Sequence, residues 1–266
     1  MINPDEPIPA YIHIDSVVMN IDPVEDGRGV HNITDVWVDL DGTRLGTFEI
    51  PVTFPVIAEG THTLHIQAGI KENGKGSTRV VYPFYTDYRK IVNFQPEDVL
   101  DITPEFSYIA EAVTDSWREE FEHQQISIDT SGLSTVPLLV ENDDLYEGNE
   151  VGKVYMTNDN AYFECINNEA IEIPWNYDDI YMELEYESNT PFTMGLIFNY
   201  INTPSITKPI ITFNPRDFRN KIYVNISDVV FGQANAVSFY VYFNSNKIAG
   251  VDTSTILLDN IKLVHF

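Results

Sequence analysis

The chain closes on ILLDNIKLVHF (256–266), a stretch with the alternation of a β-strand and one polar residue out of place. In strict alternation Leu257, Ile261 and Leu263 share one face, because successive side chains of a strand point to opposite sides. Asp259 falls on that same face. A carboxylate in an apolar row is costly unless a partner compensates its charge. The sequence therefore predicts a partner for Asp259, either a bound cation or a set of hydrogen-bond donors.

This stretch is the last of nine strand-like segments that follow Asp115. The segments are short and rich in Val, Ile, Tyr and Phe, and Gly, Pro, Asn or Asp separate them. No helical pattern longer than two turns interrupts them. We therefore predict an antiparallel β-sandwich over residues 116–266. The segments are SWREEFEHQQISI, KVYMTN, AYFECIN, DIYMELEYES, PFTMGLIFNYI, PIITFN, KIYVNISDV, AVSFYVYFNS and TILLDNIKLVHF.

Residues 10–85 carry a separate set of strand signals. The stretch DVWVDLDGTRLGTFEI (35–50) is typical of a hairpin with its turn at Asp41-Gly42. The stretch THTLHIQAGI (61–70) is typical of a further strand. These patterns predict a small β-sandwich ahead of the larger one.

The region between the two predicted sandwiches lacks the alternation of apolar and polar residues that marks strands. It runs through Pro96 and Pro104 without clean alternation, which favours an ordered connector. The sequence thus predicts an all-β protein of four parts. These are a polar tether (1–9), a small β-sandwich (10–85), a connector (86–115) and a larger antiparallel sandwich (116–266).

The charge balance limits the classes of partner. The chain has 41 acidic against 15 basic residues, a formal net charge of −26. Such a surface repels phosphate backbones, so it argues against nucleic acid and against direct binding to anionic lipid head groups. It is compatible with divalent cations, neutral glycans or basic protein partners.

No catalytic motif is recognisable in the sequence. HExxH, GxSxG and CxxC are all absent. The single cysteine, Cys165, lies in a strand-like segment, which favours a buried core residue over a reactive thiol. The 41 acidic residues offer too many pairs to single out the two carboxylates of a glycosidase. We therefore expect a non-catalytic protein.

Two patterns resemble known families. The pattern VDLDG…G…EGTHTLHI resembles small immunoglobulin-like or transthyretin-like β-sandwich modules of exported bacterial proteins. WREEFE (117–122) and LLDNIKL (257–263) resemble the opening and the close of galactose-binding-like jelly-roll domains, which include several carbohydrate-binding module families. The combination resembles surface or periplasmic lipoproteins of Bacteroidota. In the jelly-roll family the first and last strands lie near each other, and their carboxylates can share one structural calcium.

This resemblance suggests calcium as the partner of Asp259. Glu120 and Glu122 are two residues apart, so on one strand they point the same way. Together with Asp259 they would offer the oxygen ligands that calcium prefers. The alternative is that Asp259 accepts hydrogen bonds from amides or from a nearby Ser, Thr or Arg. A second acidic cluster, typical of a solvated loop, contains Asp143, Asp144 and Glu147.

Several strand segments carry aromatic rings, amides or carboxylates opposite their aliphatic residues. If these strands are neighbours in one sheet, their polar sides form one surface suited to sugars, because rings stack on C–H faces while amides and carboxylates bind hydroxyls. The alternative is that tyrosine is simply favoured on half-exposed strands, or that this face packs on the first domain. The predicted ligand-binding residues are Tyr181, Glu183, Asn199, Tyr223, Asn225, Tyr240 and Tyr242.

Two functions follow. The first is a glycan-binding or envelope-binding module of an exported protein, and the second is a structural subunit of an outer-membrane assembly that docks a protein partner. A glycoside-active enzyme ranks third. The proline-rich start resembles the tether that follows the lipidated cysteine of bacterial lipoproteins, with Met1 standing where that cysteine would be. The alternative is an ordinary frayed terminus. We expect such a lipid anchor to be the protein's only attachment to a membrane. We expect the protein to be exported and to be anchored to the outer membrane, in the periplasm or on the cell surface.

Overall fold

The computed structural model describes residues 7–122, 126–143, 150–175 and 179–266. These residues form twenty-two β-strands and one helix of five residues. The predicted all-β fold is therefore confirmed.

The chain divides into two compact units. The N-terminal unit comprises residues 1–23 and 29–110, and the C-terminal unit comprises residues 24–28 and 111–266. The short segment 24–28 therefore belongs with the later part of the chain, although it precedes most of the N-terminal strands.

The described residues of the N-terminal unit form ten strands. They are β1 Ala10–Ile14, β2 Val18–Met19, β3 Asp35–Leu40, β4 Thr43–Glu49, β5 Val52–Val56, β6 Gly60–Lys71, β7 Arg79–Val81, β8 Tyr88–Phe94, β9 Val99–Asp101 and β10 Glu105–Phe106. An antiparallel sheet has the order β4-β3-β6-β7, with β8 also paired to β6. A second sheet has the order β5-β1-β9, and β2 pairs with β10. Within this smaller β unit, the finer assignment to an immunoglobulin-like or transthyretin-like module stays a prediction.

The described residues of the C-terminal unit form twelve strands and the helix. They are β11 Arg118–Glu119, β12 Ile128–Thr130, β13 Leu139–Asn142, β14 Glu150–Met156, β15 Tyr162–Asn167, β16 Ile171–Glu172, β17 Ile180–Ser188, β18 Phe192–Tyr200, β19 Ile206–Phe213, β20 Arg216–Asn225, α1 Ser227–Phe231, β21 Ala236–Asn246 and β22 Ser254–His265.

These strands form two antiparallel sheets. Sheet I has the order β13-β14-β22-β17-β20, with β11 paired to β22. Sheet II has the order β12-β15-β21-β18-β19, with β16 paired to β21. Apolar side chains of both sheets meet in one buried core, so the predicted antiparallel sandwich is confirmed. Core members include Val154, Leu184, Val224 and Leu263 from sheet I, and Phe163, Cys165, Leu196 and Val241 from sheet II.

An irregularity in β22 changes the face of Asp259. The pairing of β22 with β17 shifts register here, and Asn260 has a positive φ of 47°. Leu258 and Ile261 both belong to the core, so Leu257 and Asp259 lie on the other face. The expectation that Asp259 shares the face of Ile261 is wrong, because the extra residue of a β-bulge reverses the alternation beyond it.

The predicted first strand of the sandwich also ends early. β11 covers only two residues, and Phe121, just beyond it, has a positive φ of 58°. The expectation that Glu120 and Glu122 share one face of this strand is wrong, because both lie after β11 has ended. The prediction that the first strand lies beside the last strand is confirmed, since β11 pairs with β22.

The segment predicted to be a connector (86–115) contains β8, β9 and β10. Val92 and Phe94 are buried in regular alternation with the exposed Ile91 and Asn93. The exposed isoleucine obscures this alternation in the sequence, because an apolar residue stands where a polar one is expected. The predicted domain limits stay a prediction.

Candidate functional site

Asp259 lies on the outer face of sheet I beside Arg219. Nη1 of Arg219 is 2.9 Å from Oδ2 of Asp259, and the two side chains are 7% and 0% exposed. The other amino group of Arg219 contacts the carboxylate of Asp143, and Oε2 of Glu185 lies 4.0 Å from Nη1. The backbone N–H of Asn260 donates to Oδ1 of Asp259 over 2.8 Å. A guanidinium and an amide therefore compensate the charge of Asp259.

Glu120 and Glu122 hold a segment from the N-terminal half of the chain. Nη2 of Arg28 donates to Oε1 of Glu122 over 2.6 Å, and the backbone N–H of Arg28 donates to Oε1 of Glu120 over 3.1 Å. The backbone N–H of Glu150 donates to the same oxygen of Glu122. Gly27 has a φ of +74°, and a Cβ there would lie 2.2 Å from Oε1 of Glu120. A side chain at this position would force the Glu120 carboxylate to move, and the positive φ would be strained in any residue other than glycine.

The three predicted calcium ligands therefore serve different partners. Glu120 and Glu122 contact Arg28, whereas Asp259 contacts Arg219. In the part of the chain that the structure describes, no group of three His, Cys, Asp or Glu side chains is arranged to hold a metal ion. Calcium binding and its three predicted ligands stay a prediction, although each of these carboxylates has another partner in the structure.

The second acidic cluster is described only in part. Asp143 is buried in its ion pair with Arg219 and is not a member of a solvated loop. Asp144 and Glu147 lie outside the described residues.

The seven predicted ligand-binding residues occupy two different sheets. The expectation that they share one surface is wrong, because β17 and β20 lie in sheet I whereas β18 and β21 lie in sheet II. Tyr181, Glu183, Tyr223 and Asn225 belong to sheet I, whereas Asn199, Tyr240 and Tyr242 belong to sheet II.

The sheet I group is engaged inside the protein. Nδ2 of Asn225 donates to the hydroxyl oxygen of Tyr181 over 3.1 Å. Tyr181, Tyr223 and Glu183 are all buried. These side chains therefore offer no ring surface or free carboxylate on which a sugar could rest.

Glu183 instead lies between two lysines. Its Oε2 is 2.8 Å from Nζ of Lys221 and 3.8 Å from Nζ of Lys262. Nζ of Lys262 also donates to the backbone carbonyl of Asp26 over 2.8 Å. Burial lowers the pKa of Lys262 to about 8, and the positive charge of Lys221 adds to this effect.

The outer face of sheet II carries a half-buried aromatic and polar surface. The strand register places Asn244 between Glu164 and Thr193, and it places Tyr240 beside Ile197. These side chains point away from the core, because their neighbours along each strand belong to it. We call this surface the sheet II outer face and define it as Tyr162, Glu164, Ile166, Thr193, Ile197, Asn199, Ser238, Tyr240, Tyr242 and Asn244.

Tyr242 forms the floor of this surface. A Cβ at residue 195 would lie 2.4 Å from the ring of Tyr242, so the tyrosine packs on the backbone of Gly195. Tyr242 is only 4% exposed, whereas Tyr240 is half-buried. Of these two rings on β21, Tyr240 is therefore the one that a ligand would meet.

Hydrogen bonds fix the polar groups of the face. The hydroxyl of Tyr162 donates to Oε2 of Glu164 over 2.7 Å, and the hydroxyl of Ser131 donates to Oε1 over 2.6 Å. Nδ2 of Asn199 donates to Oγ of Ser238 over 3.0 Å. Burial and the neighbouring Glu164 raise the pKa of Tyr162 to about 12. Its hydroxyl therefore stays protonated at ordinary pH.

The charges of this face have one sign. None of its ten side chains is basic, and Glu164 is acidic. The register places two exposed carboxylates next to it, Asp129 opposite Ile166 and Glu172 opposite Ser238. The face therefore disfavours anionic ligands.

Sequence reasoning missed most of the sheet II outer face. The alternation of AYFECIN (161–167) could have placed Tyr162 and Glu164 opposite Phe163 and Cys165. No local signal could show that β15, β18 and β21 are neighbours, because this depends on the topology of the whole sandwich.

Comparison with known proteins gives structural likenesses only. No protein-family model matches the chain, and no curated protein matches it. A tailspike protein 4 domain of bacteriophage CBA120 aligns over 52% of this chain and 19% of its own, with 12% identity and a TM-score of 0.41. This chain thus spans about a fifth of that tailspike chain.

Carbohydrate-binding modules of Clostridium thermocellum show a similar degree of likeness. A C-terminal family 22 module aligns over 56% of this chain and 92% of its own, with 16% identity and a TM-score of 0.39. A family 11 module in complex with a β-1,3-1,4-mixed-linked tetrasaccharide aligns over 53% and 91%, with 10% identity and a TM-score of 0.36.

Among the described residues, no helix is long and apolar enough to cross a membrane.

Proposed function

We propose that this protein is a non-catalytic glycan-binding protein and that the sheet II outer face holds the glycan. The observation that carries the proposal is the half-buried ring of Tyr240 on a face of amides, hydroxyls and carboxylates without a basic side chain. Hydrogen bonds inside the face hold these groups in place before a ligand arrives. Such preorganisation reduces the entropy cost of binding.

The chemistry of the face fits a neutral sugar chain. The ring of Tyr240 and the side chain of Ile197 can cover the C–H face of a sugar unit. Asn199, Asn244 and Glu164 can bind the hydroxyls at its edge. The strands run side by side across the sheet, so several units of a chain can lie on this surface.

Calorimetric titration with a panel of soluble neutral polysaccharides tests the proposal. We expect Tyr240→Ala to weaken the binding of whichever polysaccharide is bound by about tenfold or more, roughly 1.4 kcal/mol. The matched control is Tyr155→Ala, because Tyr155 is exposed on β14 of sheet I. Equal losses in both variants would contradict the location of the site.

A protein partner at the same face is the alternative outcome. If no neutral polysaccharide binds and the native protein copurifies with an envelope complex in a Tyr240-dependent way, the glycan proposal is wrong. The structural-subunit function predicted from the sequence then takes its place.

Export and attachment to the cell envelope remain part of the proposal. They are supported by the proline-rich leader, of which residues 1–6 lie outside the described part of the chain. Fractionation of the native host with an antibody against the protein tests them. Recovery in the cytosolic fraction would contradict export.

A further inference from the structure

Glu164 is the one acidic side chain among the ten that define the sheet II outer face. It lies on β15 and is half-buried. Its carboxylate oxygens accept hydrogen bonds from the hydroxyls of Ser131, over 2.6 Å, and Tyr162, over 2.7 Å. Both of these donors are uncharged, so they fix the direction of the carboxylate but do not neutralise its charge.

Three buried carboxylates of this protein pair with a basic side chain instead. The pairs are Asp35 with Arg79, Glu183 with Lys221 and Asp259 with Arg219. Among the described residues, Glu164 takes part in no such pair. A neutral ligand that covered Glu164 would bury a charge without a counter-charge, which is costly, whereas a ligand cation would neutralise it.

Aromatic rings lie close to this carboxylate. The hydroxyl of Tyr162 is bonded to it, and the ring of Tyr162 is half-buried. Burial and the charge of Glu164 raise the pKa of the Tyr242 hydroxyl, so the carboxylate acts on that ring as well. The faces of aromatic rings attract cations. A carboxylate beside such rings is therefore a suitable place for an ammonium group.

The strand register places this carboxylate and Tyr240 at different points of the same surface. Glu164 stands opposite Asn244, and Asn244 stands opposite Thr193, so a polar row crosses three neighbouring strands. Tyr240 lies four residues before Asn244 on β21, which is about 13 Å along the strand. Tyr240 and Glu164 would therefore hold different units of one sugar chain.

We infer that the sugar unit at Glu164 carries a free amino group, so that the sheet II outer face prefers glycans with glucosamine-type units over their N-acetylated or hydroxyl counterparts. The inference rests on the proposed function, because it names the class of glycan that the same face selects. The ammonium group of such a unit would donate to Glu164 in a charge-assisted hydrogen bond. A lysine-rich peptide also carries ammonium groups, but it lacks the C–H face of a sugar that the ring of Tyr240 would cover.

Calorimetric titration of the full chain with matched oligosaccharides tests this inference. The probes are β-1,4-linked chains of equal length made of glucosamine, N-acetylglucosamine or glucose, which differ only in the group at the second carbon of each unit. At about pH 6 an amine is protonated and a carboxylate is ionised. We expect the native protein to bind the glucosamine chain at least about tenfold more tightly than either of the other two.

Glu164→Gln should remove most of this preference, because it keeps the size of the side chain and removes its charge. The matched control is Asp101→Asn, the same change of charge at an exposed position of the N-terminal unit, and it should keep the preference. Thermal melts show whether Glu164→Gln is folded. The comparison of the three chains on the native protein does not depend on any variant.

The outcomes separate this inference from the proposed function. Equal affinities of the native protein for the three chains overturn the inference, and the proposed function stands if that binding is lost in Tyr240→Ala. A preference for glucosamine that persists in Glu164→Gln also overturns it, because the net charge of −26 would then be the cause. So does the failure of all three chains to bind, whatever the polysaccharide titrations show. A lysine peptide that binds as tightly as the glucosamine chain, and only while Glu164 is present, would assign the face to a basic protein segment and overturn the inference too.

Discussion

Asp259 and Arg219 form a buried ion pair, with Oδ2 and Nη1 2.9 Å apart, on the outer face of sheet I. The carboxylate of Asp143 contacts the same guanidinium, and that of Glu185 lies near it. The attraction between the guanidinium and these carboxylates offsets the cost of removing the charges from water only while every charge has its partner. The pair joins the last strand to β20 across the intervening β17.

Asp259→Asn should therefore destabilise the protein by about 3 kcal/mol, because it removes a charge that Arg219 needs in a buried site. Urea unfolding followed by tryptophan fluorescence measures the loss. Asp252→Asn, at an exposed position, is the matched control and should change little. Added calcium or chelator should leave both variants and the wild type unchanged if Arg219 is the only cation at Asp259. A chelator-dependent loss that disappears in Asp259→Asn would restore the calcium hypothesis.

Many strands of the larger sandwich could be predicted from the sequence, because apolar and polar side chains alternate cleanly along them. The order of these strands in the two sheets could not be predicted. AVSFYVYFNS places Phe239 and Phe243 in the core, as the structure does. The bulge at Asn260 could not be predicted, because the segment contains no Gly or Pro that would indicate an interruption of the strand. Asparagine tolerates a positive φ better than most residues, and its short side chain left the strand pattern intact.

The candidate site was predicted only in part. Alternation shows which side chains share a face of one strand, but it does not show which sheet the strand enters. Tyr181 on β17 and Asn199 on β18 follow each other closely in the chain, yet they lie in different sheets. The partners of Glu120 were hidden for a similar reason, since Arg28 is distant in sequence.

Lys262 should make stability depend on pH. Its pKa is lowered to about 8 in the folded state from a usual value near 10.5. Between these values the unfolded chain binds more protons than the folded one, so the free energy of unfolding should rise with pH. The slope from one group is at most about 1.4 kcal/mol per pH unit. Urea unfolding between about pH 8 and pH 9 measures it, because tyrosines, with an ordinary pKa near 10, are still mostly protonated there.

Lys262→Met should remove this part of the slope, whereas Lys208→Met, at an exposed position, should leave it. The groups that face Lys262 are Glu183 and Lys221, with Asp26 and Arg118 nearby. A slope identical in the wild type and in Lys262→Met would show that the lysine has an ordinary pKa in the folded protein.

Gly195→Ala should disturb the floor of the sheet II outer face. The new Cβ would lie 2.4 Å from the ring of Tyr242, so the ring must move. Overpacking of this kind costs about 1–3 kcal/mol, and glycan affinity should fall with it. Gly132→Ala is the matched control, because a Cβ there meets nothing within 4 Å. Thermal melts measure stability, and unchanged stability and affinity in Gly195→Ala would contradict this packing.

A fragment of residues 111–266 should fold but should be less stable than the same unit in the whole chain. Its core is complete, because both sheets lie within it. However, the fragment lacks the segment Val24–Arg28. It therefore loses two hydrogen bonds from Arg118, to the carbonyls of Val24 and Glu25, and one from Lys262, to the carbonyl of Asp26. The loss of these charged hydrogen bonds should cost about 2 kcal/mol or more.

The comparison needs a probe confined to this unit. Trp37→Phe in the whole chain leaves only Trp117 and Trp175, the tryptophans that the fragment also contains. Urea unfolding of the two proteins by fluorescence then reports the same residues. Adding Gly27→Ala to the whole chain should reproduce part of the loss, because its Cβ would collide with Glu120 and displace the segment. If the fragment unfolds at the same urea concentration as the whole chain, Val24–Arg28 adds nothing to the stability of the sandwich, and its hydrogen bonds only replace bonds to water.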